Sequence, residues 1–181
     1  LTAAAQSDDN FTIDENTDIL ATYRDRVIDA YFVDFKGEKV GESMNLGKDD
    51  LKNIQVASTS DLKKQNDIIK KIEKGDADAA KSLRLPVYVF NINDQTITVL
   101  PIYGAGLWGP VWGYLAFAQD GRSIDGAIFD HKSETPGLGA KIAEEPFYGQ
   151  FKGRKLTDEG GFSVVKGGAR GDINSVDAIS G

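Results

Sequence analysis

An α+β fold, with a mostly antiparallel sheet and flanking helices, is predicted by three observations. Strand-like runs outnumber helical ones. The strongest runs come in pairs joined by tight turns, Asn93-Asp94 and Asp120-Gly121, which link antiparallel neighbours. Strand and helix do not alternate regularly, as a doubly wound parallel sheet requires.

The elements follow in order. Residues 1–13 are small and polar, a loosely held lead-in. Asn16 or Thr17 is placed to cap a short helix ending near Tyr23. RVIDAYFVDF (26–35) reads as a strand, KGE (36–38) as a turn, and KVGESM (39–44) as extended chain. Ser60 or Asp61 caps a clear helix over 60–75, with Leu62, Ile68, Ile69 and Ile72 partly at helical spacing and Gly75 as its stop. Residues 73–84 are polar, a loop or frayed helix. PVYVFNI (86–92) and QTITVLPI (95–102) alternate as a hairpin, and VWGYLAFAQ (111–119) with SIDGAIFDH (123–131) makes a second. The ETPGLG turn (134–139) opens a helix over 138–143, and EEPFYGQF (144–151) forms another short one. GFSVVKG (161–167) is a last strand, before a Gly-rich, polar tail over 167–181.

The chain has 181 residues, 40% hydrophobic and 27% charged, which suits one domain with a real core. It shows no internal repeat and no second boundary. A net charge of −7 argues against nucleic acid and anionic membrane surfaces as partners, because both select clustered Lys and Arg. With no Cys and a single His, thiol catalysis, Fe–S clusters and multi-His metal sites are excluded within this sequence. No apolar run approaches the roughly 18 residues of a membrane span. The chain starts at Leu1, shows no signal peptide and stops at SVDAISG, so both ends read as cut from a longer chain.

Three segments have residue types suited to a ligand. In ETPGLGAK, Thr135 is placed as an N-cap, Pro136 at the first helical position, and Gly137 and Gly139 strip side chains from the first turn. This is either a plain capped helix or a bare N-terminus that receives an electron-rich group. In PIYGAGLWGPVWGYL (101–115), four glycines alternate with Tyr103, Trp108, Trp112 and Tyr114. That is a bent strand with core aromatics or a wall for a flat ligand. Its Gly104, Gly106 and Gly109 do not form a dinucleotide fingerprint, since no βαβ unit surrounds them. In the third, Lys166 follows a strand that looks buried, and is either a solvated lysine or a cation held at a site. His131 is assigned no role, having no second His, Cys or nucleophile at a recognisable spacing.

Taken together, ETPGLGAKI, YGAGLWGPVWGYLAF and VDAISG resemble the FMN-binding C subunit of the sodium-translocating NADH:quinone oxidoreductase (Nqr). The resemblance covers roughly residues 85–181, making 85–181 the flavin-binding part and 1–84 an N-terminal part of one FMN-binding domain. ETPGLG and the tail are also similar to the G subunit of the Rnf electron-transport complex, but YGAGLWG favours the Nqr protein.

The resemblance implies a flavoprotein that relays electrons in a sodium-pumping complex acting on NADH and ubiquinone. It implies no bond-making by the isolated domain. Its partners would be the other members of the Nqr complex, a flavin transferase, and the bacterial inner membrane through an N-terminal helix, with the domain on the periplasmic side. FMN would be joined by a phosphoester to the Thr of an S-G-A-T motif. Ser180 and Gly181 match its first two residues, and the acceptor Thr falls beyond them. By the family pattern, the flavin would be held by Glu134, Thr135, Gly137, Leu138 and Gly139 on one side and by Leu107 and Trp108 on the other, with Lys166 near its pyrimidine or phosphate. Two alternatives are an Rnf-type protein and a non-redox scaffold domain of a membrane complex.

Overall fold

The strands β1 (Val27–Val33), β2 (Lys39–Val40), β3 (Leu85–Ile92), β4 (Gln95–Ala105), β5 (Pro110–Phe117) and β6 (Ile124–His131) make one sheet in the computed structural model, which describes residues 1–159, 161–167 and 171–179. Their order is β2-β1-β3-β4-β5-β6, and every neighbouring pair is antiparallel. The expected α+β class, with its mostly antiparallel sheet, is what the chain adopts. β1 and β2 come from the first third of the chain and pair into the sheet of β3 to β6, so strands from both parts of the chain share that sheet.

The two hairpins stand where turn chemistry put them. Asn93 and Asp94 both adopt positive φ, 47° and 66°, as a two-residue hairpin turn requires. At the second hairpin, Asp120 accepts from Ser123 Oγ at 2.6 Å and from the backbone N–H of Ser123 and Arg122. Those bonds, the Ser123 hydroxyl first, hold its carboxyl well below the usual carboxylate range. The long helix α3 (Thr59–Glu73) begins slightly earlier than expected, because Ser58 caps it in a reciprocal box with Asp61. The short helix α2 (Ile19–Arg26) is capped by Asp18 rather than Asn16 or Thr17, and runs past Tyr23 into β1.

Two expectations fail for packing reasons. Residues 2–5 are not a loose lead-in: they form helix α1 (Thr2–Ala5), whose Ala3, Ala4 and Ala5 are buried. Alanine carries little hydropathy, yet it is small enough to let a helix backbone press onto the sheet. Of residues 39–44, expected as extended chain, Lys39 and Val40 pair with β1 as β2. The polar tail also contains a strand, β8 (Ser175–Asp177), which pairs in parallel with β7 (Ser163–Val165). Ser175 and Val176 are fully buried there. Helix α4 (Glu145–Tyr148) with the 3-10 turn Gly149–Phe151 fulfils the short helix expected over 144–151.

Two apolar clusters lie against the sheet. One gathers Tyr23, Val27, Tyr88, Phe90, Ile92, Ile97 and Val99, with α1 and α2 over them. Burial there pushes the Tyr23 hydroxyl up to about 12. The other gathers Phe117, Ile124, Ala127, Phe151 and Val176, with Phe129, Phe147 and Phe162 packed around.

The outer edge of β6 is closed at Ile124 by the backbone of Gly153 and Arg154, and at Ala127 by one side chain. The Gln6 amide donates to Ala127 O at 2.9 Å and accepts from Ala127 N at 3.1 Å, as a neighbouring strand would. Gln6→Ala is expected to lower unfolding stability by about 1–3 kcal/mol, the cost of leaving backbone groups unpaired. Urea denaturation of both proteins measures it, and no change would mean that water replaces the amide freely. Among the described residues, no helix is long and apolar enough to cross a membrane. No group of acidic or His side chains there is placed to hold a metal.

Candidate functional site

The ends of β4, β5 and β6 carry the segments singled out in the sequence. Residues 106–109 join β4 to β5, closed by a hydrogen bond from Gly106 N to Gly109 O at 2.7 Å. Residues 132–138 leave β6 alongside them, and Lys132 N still donates to Pro110 O at 3.0 Å. Antiparallel pairing of β5 with β6 places the two loops next to each other.

Thr135 does not cap a helix. The expected helix over 138–143 is a five-residue 3-10 turn, Gly139–Ala143, with Leu138 at its N-terminal boundary and no side-chain cap. The carbonyl of Thr135 instead accepts from both Leu138 N and Ala140 N at 3.1 Å. Gly137, at φ +75°, provides the left-handed step that folds this turn. No described residue accepts a hydrogen bond from the N–H of Gly137 or Gly139. A helix dipole has no part in so short a turn, but two backbone donors remain available.

Beside those donors stand exposed apolar side chains. Leu107 is 83% exposed, Trp108 66% and Leu138 46%. Glu134 is the opposite case, 8% exposed. Its Oε1 accepts from Trp108 N at 2.9 Å, and its own N–H donates to His131 Nδ1 at 3.3 Å. Sequence reasoning assigns neither His131 nor Gly106 to the site; only the folded loops show that each touches Glu134.

Lys166 is exposed at the end of β7, whose residues Ser163 and Val164 are exposed too, so the strand before it is not the buried one expected. Val164 borders an apolar groove of about 390 Å³ whose walls include Gly104, Trp112, Phe129, Ile142 and Phe162. That groove joins β7 to the 3-10 turn after Leu138. The tail passes the same place: Ala178 N donates to Val165 O at 2.7 Å, and Ala178 and Ile179 line a cleft with Lys141, Glu144 and Pro146. Ser180 and Gly181, both expected at the site, lie outside the described residues.

Two backbone donors beside exposed apolar faces fit a flat ligand with one polar edge.

Comparison with known proteins agrees with that chemistry. Residues 106–181 match the model of the FMN-binding domain family. The chain is similar to the C subunit of the Na(+)-translocating NADH-quinone reductase of Vibrio vulnificus (strain YJ016), at 31% identity over 175 residues, 86% of this chain and 69% of that protein. It is similar to the corresponding protein of Neisseria meningitidis serogroup B, at 32% identity over 181 residues, 93% of this chain and 65% of that protein. Against that of Vibrio campbellii, the chain is 36% identical over 115 residues, 59% of its own length, and spans only 44% of the relative. The crystal structure of the C subunit from Parabacteroides distasonis superposes over 98% of this chain and 77% of that one, with a TM-score of 0.68 and 29% identity.

Proposed function

We propose a function from one premise: this chain belongs to the family formed by the C subunits of Na(+)-translocating NADH-quinone reductases. On that premise it is an electron-transfer protein, a flavoprotein domain that holds FMN for a membrane-associated redox complex. The observation that carries the reading is the pairing of exposed Leu107, Trp108 and Leu138 with the free N–H groups of Gly137 and Gly139.

FMN, when bound, supplies reversible uptake and release of electrons. The chain's own residues do the rest. Leu138 covers one face of the ring, and Leu107 with Trp108 walls the other. The turn at Thr135, Gly137 and Gly139 directs backbone N–H groups at the polar edge, where negative charge gathers on reduction. Lys166 sets a positive charge near that edge or the phosphate. The attachment is a phosphoester to a Thr a few residues beyond Ser180 and Gly181. Ala178 and Ile179, the last described residues, lie beside Val165 and the turn at Lys141, which supports this reading. Sodium pumping, the other members of the complex, a flavin transferase, an N-terminal membrane helix and the periplasmic side complete the proposal.

A longer chain that continues past Gly181, made in cells with the transferase, tests it. Peptide mapping is expected to place the flavin mass on a Thr within a few residues of Ser180. A colourless product, or flavin on another residue, would sink the assignment and leave the scaffold alternative. In the same flavoprotein, Lys166→Met is expected to lower the flavin midpoint potential, by an amount equivalent to about 1–2 kcal/mol and smaller in high salt. A redox titration at matched pH reads it; an unchanged potential makes Lys166 a solvated surface residue.

A further inference from the structure

We propose that Glu134 is a positioning residue: its buried carboxylate clamps the loop of residues 106–109 to the loop of residues 132–138. It thereby sets the gap in which the flavin ring is held. The second half rests on the flavin reading above; the first does not.

A buried glutamate is normally paired with a cation, because an isolated carboxylate is costly to desolvate. Among the described residues, Glu134 forms no ion pair within 4.0 Å. Its one donor among the described residues is the backbone N–H of Trp108, 26 residues away. A bond from a backbone N–H to a carboxylate is among the stronger hydrogen bonds a loop can make. The other end of the residue is tied to β6, through Glu134 N and His131 Nδ1. One side chain thus spans from the end of β6 to the turn between β4 and β5.

The glycines around it say the same. A Cβ on Gly106 would overlap Glu134 Oε1, and a Cβ on Gly139 would come to 2.5 Å from Oε2. Gly106 lies in one loop and Gly139 just past the end of the other, and both leave room for the same carboxylate. At Gly106 a Cβ would also come to 2.8 Å from Gly109 O, so the turn and the carboxylate both exclude a side chain there, while at Gly139 the close neighbour is the Glu134 side chain. Neither glycine has a positive φ, so backbone conformation does not demand glycine at these two positions.

The test is amide hydrogen exchange at Trp108, followed by NMR in this chain without flavin. Trp112, inside the β5 ladder, is the internal control. Glu134→Ala is expected to speed Trp108 exchange by roughly tenfold or more, as the loss of one charge-assisted bond implies, with Trp112 unchanged. Glu134→Gln keeps an acceptor oxygen and is expected to hold Trp108 exchange near that of the unmodified chain. Unchanged Trp108 exchange in Glu134→Ala overturns the clamp. So does equal acceleration at Trp112, or failure of Glu134→Gln to protect Trp108. If Glu134→Ala does not fold, Glu134→Gln alone decides by the same criterion. In the longer, flavin-bearing chain, Glu134→Ala is further expected to raise flavin emission as Trp108 draws away from the ring, and Glu134→Gln is not. If exchange responds and emission does not, the clamp stands and its link to the ring gap falls.

Discussion

Phe151→Ala is expected to lower unfolding stability by about 3–5 kcal/mol, the range for a large aromatic removed from a packed interior. Phe151 is the hub of the second apolar cluster. Its ring stacks on Phe162 at 5.3 Å and 22°, and meets Phe129 at 5.0 Å and Phe147 at 5.7 Å. These partners come from β6, α4 and the segment before β7, so no single element can close the void. The tail is held by the same ring cluster, in which Val176 of β8 is fully buried. The midpoint in urea should therefore fall, and amides of β8 should lose protection before those of β3 and β4. Equal loss in both regions would make the chain a single cooperative unit with no weaker tail.

Gly126→Ala is expected to cost about 3 kcal/mol or more, at the upper end of the range for overpacking. A Cβ there would run into the backbone carbonyl of Ala3, with Gln6 Cβ also close at 2.7 Å. A flexible side chain could swing aside, but the carbonyl belongs to buried α1. Relief needs the whole helix to lift from β6, which would also pull Gln6 from the strand edge it closes. Thermal unfolding of the variant, beside Gln6→Ala, reads this. A loss no larger than that of Gln6→Ala would show that α1 shifts without leaving the sheet.

The sheet was legible because its signals are local. Asn93-Asp94 and Asp120-Gly121 define their hairpins from neighbouring residues alone, and alternation in β3 and β4 sets which side chains point inward. What escaped depends on partners far along the chain. Three alanines near the start gain their burial by packing where Gly126 leaves room. β8 is three residues long, in polar company, and exists because Phe151 and β7 lie beside it. The site divides in the same way. Leu107, Trp108 and Leu138 are exposed apolar residues in glycine-rich turns, a pattern visible in the sequence. The helix expected after Thr135 became a 3-10 turn, with the Thr135 carbonyl, not its hydroxyl, organising the backbone. Glu134 was expected at the flavin through the resemblance, but its burial and its bond to Trp108 N depend on two loops meeting and are not written in the local sequence.

The pinned tail has a consequence for binding strength. β8 is fixed by buried Ser175 and Val176, so the chain is anchored to within a few residues of Ile179. On the proposed attachment, with the acceptor Thr four residues beyond Ile179, the tethered group would stay within roughly 14 Å of it. Confined to that volume, one molecule counts as an effective concentration on the order of 0.1 M. A pocket whose intrinsic Kd is only ~1 mM would then be about 99% filled. If the proposed tether holds the flavin, the rim at Leu107, Trp108 and Leu138 is free to stay open to a redox partner, because retention is then the task of the tether.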